Sequence, residues 1–380
     1  MKILYVTHSS ELQGAGIALC NIVLNLPSKV KPVVILPNRG PLYEIFMKKG
    51  ICVYIQKMYN EVLPKHNKFT DMVKFLPRLI RIYFYNFIAY RAIDKIVKSE
   101  KPDIIHTNTG VLHFMSDIAK RNSVPHVWHI REFQRKGSGY YPLGGERRFV
   151  KKLNALNNYC VTITQSIFDY YHLSNKKDCV IYDGVYNEEV VRNNKNIVSN
   201  NKNFFLYVGA VMQSKGVEDL LQAFNNICKL DKSIKLYLVG ADWMNIENHI
   251  SHTDCPDRIC YLGFRNDVYD LMKHAVAVIV PSFYEGFGFV VAESMINNCL
   301  VIGRNTTGIK EQFDNGVNCT GGEVGLRFSS IEELEDCMLQ AIKGKYDVSM
   351  KQRAFDTAKN YTIENNIHNL IEVYESLQHF

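Results

Sequence analysis

Short hydrophobic runs alternate along this chain with longer stretches that have helical spacing. The run at 276–280 is short enough for a strand buried on both faces of a parallel sheet. Comparable runs occur from the start of the chain, at Lys2–Val6, 33–36 and Cys52–Ile55. Strands that alternate with helices predict parallel sheets. We therefore predict an α/β fold, and 380 residues are enough for two domains of ordinary size.

The stretch from 278 to 311 is predicted to carry the functional site. Its first loop, with Glu285 and Gly288, lies between a buried strand and a helix, and a second strand leads to a turn with Thr307 and Gly308. Glycine lets a backbone approach a ligand closely, and ligands bind at the carboxyl ends of parallel strands. The pattern therefore predicts a ligand site at these two loops.

Two carboxylates in this stretch are spaced for a long ligand. Glu285 and Glu293 are eight residues apart, which corresponds to ~12 Å along a helix axis. Carboxylates that flank one scissile bond in glycosidases lie roughly 5 to 9.5 Å apart. The spacing favours two separate contacts with one ligand such as a nucleotide sugar, with Glu285 at the sugar and Glu293 at the ribose hydroxyls.

The motif PS-x-x-EGFG-x-x-x-x-E, followed by a TG turn, resembles glycosyltransferase family 4 of the bacterial surface-glycan type. The resemblance implies the GT-B fold, in which two Rossmann-like, doubly wound parallel-sheet domains face each other across a cleft. It also implies a retaining glycosyltransferase with a nucleotide-diphosphate sugar as donor, UDP rather than GDP. The implied acceptor is a glycan or a lipid diphosphate, in the synthesis of a surface polysaccharide such as capsule or O-antigen.

The resemblance also sets the expected domain boundaries. The segment 182–185 is similar to the family's N-G-V sequence, which closes the first domain. The expected parts are an acceptor-side domain at 1–190, an asparagine-rich linker at 191–203, a nucleotide-sugar domain at 204–360, and a last helix at 361–380 that crosses back to the first domain.

The family pattern implies catalytic roles for three residues. His129 is expected beside the donor sugar near the reacting carbon, Lys215 at the diphosphate, and Glu285 at the sugar. The other residues expected to bind the donor are Gly14, Gly209, Gly263, Phe264, Gly286, Phe287, Gly288, Glu293, Thr307 and Gly308.

Two positions depart from the family pattern. Gly16 stands where the family has an acid, and Ala210 stands where it has an arginine that holds the diphosphate. Lys215 alone supplies a point charge without bidentate geometry. The diphosphate would then need the helix N-terminus at the TG turn, or Arg304, Arg265 or a basic residue of the first domain. The sequence has no D-x-D, so we expect neither a metal nor another cofactor.

Positive charge is concentrated in the first half of the chain. Residues 1–200 hold 29 Lys and Arg against 15 Asp and Glu, whereas 201–380 hold 16 against 23. The segment 65–101 carries nine basic, three acidic and seven aromatic residues. Such a helix can lie in a membrane interface, or it can pack its apolar stripe on the sheet with its basic residues solvated. The charge imbalance suggests an anionic partner, either nucleic acid or a lipid surface, and for this helix it favours contact with an anionic membrane over simple packing on the sheet. We expect no nucleic acid as a partner.

The cysteine pattern and the hydropathy indicate a location. Ten cysteines without a CxxC pair fit free thiols in a reducing compartment. The first strand is too short for a signal peptide, and no apolar run reaches the roughly 18 residues of a membrane span. We expect a cytoplasmic protein at the inner face of the cell membrane. The basic, glycine-rich segment 134–152 is predicted to be a mobile loop followed by a helix.

Three functions compete at this point. The first is the retaining glycosyltransferase, and the second is a nucleotide-sugar epimerase or a phosphorylase of the same fold. The third is a non-catalytic binding module, which the substitution at Ala210 suggests.

Overall fold

Two parallel sheets with flanking helices organise the chain in the computed structural model, which describes residues 1–64, 69–195 and 203–378. The chain divides into two compact units: unit 1 is Met1–Gly184 with Ile363–Phe380, and unit 2 is Val185–Thr362. The predicted α/β class with parallel sheets in two domains is confirmed.

Within the described part of unit 1, the main sheet has seven parallel strands in the order β3-β2-β1-β5-β6-β8-β9, and β4 pairs antiparallel with β7. The strands are β1 Lys2–Val6, β2 Lys31–Leu36, β3 Cys52–Ile55, β4 Val62–Pro64, β5 Ile104–Thr107, β6 His126–Ile130, β7 Tyr140–Pro142, β8 Asn158–Thr162 and β9 Cys179–Val180. The helices are α1 Ala15–Leu24, α2 Pro41–Lys48, α3 Phe69–Glu100, α4 Phe114–Arg121, α5 Gln134–Ser138, α6 Glu146–Leu153, α7 Gln165–Tyr170 and, from the end of the chain, α16 Ile363–Leu377.

The alternation of side chains along β1 covers both faces of this sheet. Leu4 and Val6 pack in one core with residues of α3 and α4, whereas Ile3 and Tyr5 pack in the other with residues of α1, α2 and α16. Successive strand residues point to opposite faces, so a continuous apolar strand needs helices on both sides. The last helix, α16, is part of this second core through Tyr374 and its neighbours.

In the described residues of unit 2, a sheet of six parallel strands has the order β12-β11-β10-β13-β14-β15. The strands are β10 Phe204–Val208, β11 Lys235–Val239, β12 Ile259–Gly263, β13 Ala277–Val280, β14 Val301–Arg304 and β15 Leu326–Phe328. The helices are α8 Glu188–Asn194, α9 Val217–Leu230, α10 Ile246–Ser251, α11 Val268–His274, α12 Phe289–Ile296, α13 Thr307–Thr320, α14 Ile331–Ile342 and α15 Met350–Ala358.

The start of the expected linker at 191–203 is helical. Helix α8 occupies Glu188–Asn194, and the Asn187 side chain caps it by accepting a hydrogen bond from the Val190 amide at 3.1 Å. The buried Asn194 amide donates to the Ile296 carbonyl of the same unit. These asparagines therefore make specific hydrogen bonds, which composition alone does not reveal. The units divide at Gly184–Val185 rather than at 190, and 196–202 lie outside the described residues.

The prediction of a mobile loop at the start of 134–152 is wrong. Helix α5 occupies Gln134–Ser138, and β7 follows it and pairs with β4, with Val62 opposite Pro142. The pairing joins segments about 80 residues apart in the sequence. The composition of the segment does not indicate a pairing partner so far away in the sequence, whereas its glycines suggest a loop.

Two of the cysteines are not free thiols. Cys228, near the end of α9, and Cys255, before β12, form a disulfide across a sequence separation of 27. The expectation of free thiols throughout is therefore wrong at this pair, because the pairing depends on packing in unit 2. Among the helices of the described residues, none is both long and apolar enough to cross a membrane.

Candidate functional site

The predicted central stretch forms two neighbouring loops in unit 2. Strands β13 and β14 are parallel neighbours, with Val280 opposite Gly303. The loop between β13 and α12 and the turn between β14 and α13 therefore leave the same edge of the sheet. Ligands of open α/β sheets bind at this edge.

Lys215 and Glu285 form an ion pair at the centre of these loops. The Lys215 Nζ lies 2.6 Å from the Glu285 Oε1, and the Ser282 hydroxyl donates to the same oxygen at 2.8 Å. The side chains of Lys215 and Glu285 are 29% and 18% exposed. The structure thus brings together two residues predicted separately, in a position that a ligand can still reach. A charge-assisted contact of this kind fixes both side chains.

The turn at the start of α13 is bound to the Glu285 loop. The Glu285 amide donates to the Thr307 hydroxyl at 2.9 Å, and the Gly308 amide donates to the Glu285 carbonyl at 3.2 Å. Thr307 has a φ of +43°, which is strained for a β-branched residue and is characteristic of functional sites. A Cβ on Gly308 would lie 2.7 Å from the Gly286 oxygen, so only glycine allows this close approach.

Glu293 has a different environment from Glu285. It lies on α12, and its Oε1 accepts a hydrogen bond from the Tyr269 hydroxyl of α11 at 3.2 Å. Burial raises the pKa of Glu293, and the Tyr269 hydrogen bond lowers it in part. The two glutamates therefore have separate partners, which agrees with two separate contacts rather than with one catalytic pair.

The other strand ends of unit 2 expose backbone and aromatic surface. The Gly240 amide donates to the Gly263 carbonyl at 2.9 Å, and a Cβ on Gly240 would lie 1.9 Å from the Gly209 oxygen. Gly209 and Gly263 both have positive φ values, of +147° and +63°. Phe264 is 80% exposed and Trp243 is 73% exposed. Two such aromatic rings at adjacent strand ends offer stacking surface for a planar group.

The Phe287 side chain of the glycine loop lies in the core. The Phe287 side chain is 2% exposed and packs edge-on against Tyr361, so a ligand cannot reach it. The Gln312 side-chain amide donates to the Phe287 carbonyl at 2.6 Å and the Gly288 carbonyl at 3.1 Å. Gly288 precedes α12 with a φ of +94°. Phe287 is thus a core residue, and the prediction that its side chain binds the donor is wrong. A contact of its backbone with the donor stays a prediction.

The arginines considered as substitutes for Ala210 already have partners. Arg304 is buried, donates to the Pro281 carbonyl, and pairs with Asp219 at 2.5 Å. Arg265 pairs with Asp267 at 2.6 Å. These guanidinium groups are held by carboxylates, which argues against the prediction of either as a diphosphate ligand.

His129 lies in a buried polar network of unit 1. Its Nδ1 is 3.2 Å from His106 Nε2 and 3.3 Å from Arg131 Nη2, while Arg131 pairs with Asp183 at 2.5 Å. Burial, and then the Arg131 charge, lower the pKa of both histidines well below the usual value. Within the described residues, the buried His129 Nε2 has no hydrogen-bond partner. The His129 side chain is fully buried in the structure.

Gly14 and Gly16 lie at the start of α1. Gly14 precedes the helix with a φ of +41°, and the space around its Cβ position is open. A Cβ on Gly16 would lie 1.9 Å from the Glu11 oxygen. The backbone therefore leaves no room for the acid that the family carries at this position.

Helix α3 has two apolar faces, of which only one is packed. Ala89, Ile93 and Val97 lie in the core of unit 1. The other face carries large apolar side chains that are 57–63% exposed: Val73, Leu76, Ile80, Tyr83, Phe84 and Phe87. We call these six residues the α3 stripe. Residues 65–68 of the predicted segment 65–101 lie outside the described residues.

Sequence reasoning missed three polar or aromatic groups of these sites. Ser282 and Tyr269 hold the two glutamates, and Trp243 adds an exposed ring beside Gly240. Only Ser282 lay within the motif. Tyr269 lies on α11 and Trp243 follows β11, so both lie outside it. In residues 1–64, 69–195 and 203–378, no group of three His, Cys, Asp or Glu side chains could hold a metal ion.

Parts of this chain are similar to known glycosyltransferases. Residues 187–356 match the family described as glycosyl transferases group 1. An uncharacterized glycosyltransferase of Methanocaldococcus jannaschii is 26% identical over 77% of this chain and 81% of its own length. The O-antigen chain mannosyltransferase RfbU of Salmonella typhimurium is 23% identical over 69% of this chain and 73% of its own. The Anabaena protein HepE, solved in complex with UDP, superposes with a TM-score of 0.75 at 18% identity and covers 99% of this chain and 100% of its own.

Proposed function

We propose that this chain, whose residues 187–356 match the glycosyl transferases of group 1 and whose fold is similar to that of HepE, moves a sugar from a nucleotide diphosphate to a glycan or lipid-linked acceptor. The observation that carries the proposal is the Lys215–Glu285 pair beside the N-terminus of α13. A fixed cation and the positive end of a helix dipole next to a carboxylate suit a ligand with a diphosphate and a sugar.

The reaction follows from the charges at these loops. Cleavage of the bond between the sugar and the diphosphate leaves negative charge on the leaving oxygen. Lys215 and the backbone amides at the start of α13 stabilise this charge, while Glu285 binds the sugar and Glu293 binds the ribose. We propose retention, which the resemblance to glycosyltransferase family 4 implies. Because Glu285 has no second carboxylate beside it on its loop, we propose that the acceptor attacks on the face that the diphosphate leaves. We propose no metal for this step.

Further residues of each unit are proposed as ligand contacts. In unit 1 we propose His129, through Nε2, because Nδ1 is held by His106 and Arg131; since the ring is fully buried, this contact requires that neighbouring groups move when the ligand binds. Gly14 in unit 1 and Gly263 in unit 2 have no atom within 4 Å of their Cβ positions, whereas a Cβ on Gly209 would lie 3.4 Å from the Tyr207 hydroxyl oxygen, and we propose that the backbone at these glycines contacts the ligand. The exposed rings of Phe264 and Trp243 are proposed to stack with the base.

Relatives support the proposed donor and pathway. HepE is described in complex with UDP and with UDP-glucose, and we propose UDP rather than GDP as the carrier. RfbU and the Staphylococcus aureus protein CapM are named for O-antigen and capsular polysaccharide synthesis. We therefore propose a role in surface polysaccharide synthesis, at the inner face of the cell membrane.

The α3 stripe supports the proposed membrane contact. Its apolar side chains continue along the helix into exposed Arg91 and Lys95. A helix that exposes both large apolar and basic side chains suits the surface of an anionic bilayer. We propose that the stripe enters the interface while the basic residues contact lipid phosphates.

A donor screen followed by product analysis tests the proposed reaction. We expect UDP-sugars to raise the melting temperature, since a ligand that binds only the native state stabilises it. Wild-type protein should then cleave the donor and form a glycosidic bond, whereas Lys215→Ala and Glu285→Ala should not. Binding without turnover would indicate the non-catalytic module suggested by Ala210. A rearranged donor without transfer would indicate an epimerase.

A further inference from the structure

A buried line of hydrogen bonds in unit 1 connects the C-terminal helix to His129. The Tyr374 hydroxyl of α16 lies 2.6 Å from Nδ1 of His106 on β5. The Nε2 of His106 lies 3.2 Å from Nδ1 of His129 on β6, and Arg131 Nη2 lies 3.3 Å from the same Nδ1. We call these four residues the His129 line. Tyr5 of β1 adjoins it, with its hydroxyl 3.3 Å from that of Tyr374.

Arg131 determines which nitrogen of His129 carries the ring hydrogen. A guanidinium group only donates hydrogen bonds. Arg131 donates through Nε to the Asn108 side-chain oxygen at 2.9 Å, and its Nη1 pairs with Asp183 at 2.5 Å, so the group is held in place. A hydrogen on His129 Nδ1 would point at the donor Nη2. His129 Nδ1 is therefore unprotonated and accepts the hydrogen bond.

The other hydrogens of the line follow from this one. Because His129 Nδ1 accepts, His106 donates to it through Nε2, and the Nδ1 of a neutral His106 ring is then an acceptor. The Tyr374 hydroxyl donates to that Nδ1, and the Tyr5 hydroxyl donates to the Tyr374 oxygen. Burial lowers the pKa of both histidines well below the usual value and raises the pKa of both tyrosines, so all four side chains are neutral at pH 7.

The hydrogen of the His129 ring is consequently on Nε2, which has nothing to donate to. A neutral imidazole carries one ring hydrogen, and Nδ1 has none. Within the described residues, the buried Nε2 makes no hydrogen bond. A buried donor without an acceptor is costly, and such groups are few in native structures. An oxygen atom of a bound ligand would accept this hydrogen bond.

We propose that His129 contacts its ligand as a neutral Nε2–H donor, and that Tyr374 is a positioning residue that acts on it through His106. The ligand atom is then an oxygen with a lone pair, such as a hydroxyl or ring oxygen of a sugar. His129 cannot take a proton from an acceptor hydroxyl through this nitrogen, so it binds and orients rather than acting as a base. This role rests on the glycosyl transfer proposed above and states how His129 takes part in it.

Nitrogen-15 NMR of the full chain, labelled on histidine, measures which ring nitrogen carries the hydrogen. Protonated and unprotonated ring nitrogens have well-separated chemical shifts. The chain has 12 histidines, and the signals that disappear in His129→Asn and in His106→Asn identify the two rings. At pH 7 we expect an unprotonated Nδ1 and a protonated Nε2 for His129. The reverse pattern, or a doubly protonated ring, would overturn the donor role.

Tyr374→Phe tests the positioning role, with Tyr5→Phe as the matched control. Both variants lose a buried hydroxyl, but Tyr5→Phe keeps the hydrogen bond from Tyr374 to His106. We expect Tyr374→Phe to shift the His106 Nδ1 signal and to weaken UDP-sugar binding roughly threefold to tenfold, with UDP binding little changed. Tyr5→Phe should stay close to wild type in both measurements. Equal effects of the two variants would overturn the positioning role.

The ligand contact is tested with UDP-glucose, UDP-galactose and UDP-N-acetylglucosamine, with UDP alone as the reference. We expect the His129 Nε2 signal to respond to at least one UDP-sugar more than to UDP. No such response, in protein whose melting temperature UDP raises, would overturn the contact. Sugar transfer by protein with the opposite His129 tautomer would leave the proposed function standing without this role. The expected tautomer and variant effects without any sugar transfer would contradict the proposed function and leave the assignment of His129 standing.

Discussion

At the scale of single residues, the donor site depends on contacts between distant positions. Lys215 and Glu285 are separated by 70 residues and form a 2.6 Å ion pair. The motif around Glu285 predicted a ligand site and the family pattern predicted Lys215, but neither indicated that the two would touch. The sequence also did not predict the contact of Ser282 with Glu285 or that of Tyr269 with Glu293, because neither residue stands at a distinctive spacing.

Replacement of Lys215 tests its role at the leaving group. Lys215→Ala removes the cation that stabilises charge on the departing diphosphate, and loss of one such stabilising group costs roughly 10²–10³ in kcat. Steady-state transfer rates at saturating donor measure the effect. The exposed Lys232 of the same unit offers a matched control: Lys232→Ala should retain full activity. An equal loss in both variants would show that general charge, not position, matters.

The raised pKa of Glu293 predicts a pH-dependent difference in stability. A buried carboxyl with a raised pKa binds its proton more tightly in the folded than in the unfolded protein. Its contribution to stability is then greatest below the unfolded pKa and is lost as the pH rises through the folded value. Tyr269 and Tyr186 are its titratable neighbours, and burial raises the pKa of both, so they remain neutral at pH 7.

Glu293→Gln removes this titration. We expect the melting temperature of the variant relative to wild type to increase from pH 4.5 to pH 8, although the variant should bind UDP more weakly. Thermal unfolding at closely spaced pH values gives the comparison. A difference that is flat across this range would contradict the assignment of the raised pKa to Glu293.

Gly308 tests the contact between the two loops. A Cβ at this position would lie within 2.7 Å of two carbonyl oxygens, those of Gly286 and Phe287. Gly308→Ala should therefore destabilise the protein by about 1–3 kcal/mol and weaken donor binding more than the conservative change Thr306→Ser. Denaturant unfolding and UDP titration measure both effects. Wild-type UDP affinity in Gly308→Ala would contradict the proposed role of this turn.

At the scale of elements, strands and helices were more predictable than their partners. The apolar runs correctly predicted β1, β3 and the strand that became β13, because burial on both faces imposes continuous hydrophobicity. The prediction for 134–152 failed at β7, whose partner β4 lies in a distant segment. Within the basic segment 65–101, residues 75–97 were predicted to be helical, but the sequence alone left both orientations of the apolar residues open. The structure shows that α3 is apolar on two faces.

The α3 stripe should determine binding to anionic vesicles. Each large side chain of the stripe is already partly covered, so its transfer from water contributes about 1 kcal/mol. Ile80→Ser/Phe84→Ser should then reduce vesicle binding roughly tenfold or more, measured by co-sedimentation with phosphatidylglycerol vesicles. Leu156 is 90% exposed elsewhere on unit 1, and Leu156→Ser is the control. Equal binding of all three proteins would contradict the membrane contact.

The disulfide should stabilise unit 2 measurably. A bridge that closes a loop of this length contributes on the order of 3 kcal/mol, which corresponds to a change of roughly 6–12 °C in Tm for a unit of this size. We expect dithiothreitol to lower the Tm of wild-type protein and to leave that of Cys228→Ala/Cys255→Ala unchanged. An absence of any reductant effect on wild-type protein would show that the two thiols are not bridged in solution.

At the scale of the whole molecule, length and alternation predicted two α/β units, and the motif predicted similarity to glycosyltransferases, whose group 1 family model matches residues 187–356. The boundaries were less accessible, since α8 begins within an asparagine-rich segment that resembles a linker. Part of the positive charge of the first half belongs to Arg78 and Arg81, which line a cavity of unit 1. The acidic half includes Glu285 and Glu293, which have distinct partners in unit 2.

The most direct test of the central claim is a crystal structure of the full chain soaked with UDP. We predict density for the diphosphate at Lys215 and the N-terminus of α13, and for the ribose at Glu293. The position of the nucleotide is independent of the acceptor and of the sugar, which makes the result decisive for the donor site. UDP bound elsewhere, or density that touches neither Lys215 nor Glu293, would contradict the account.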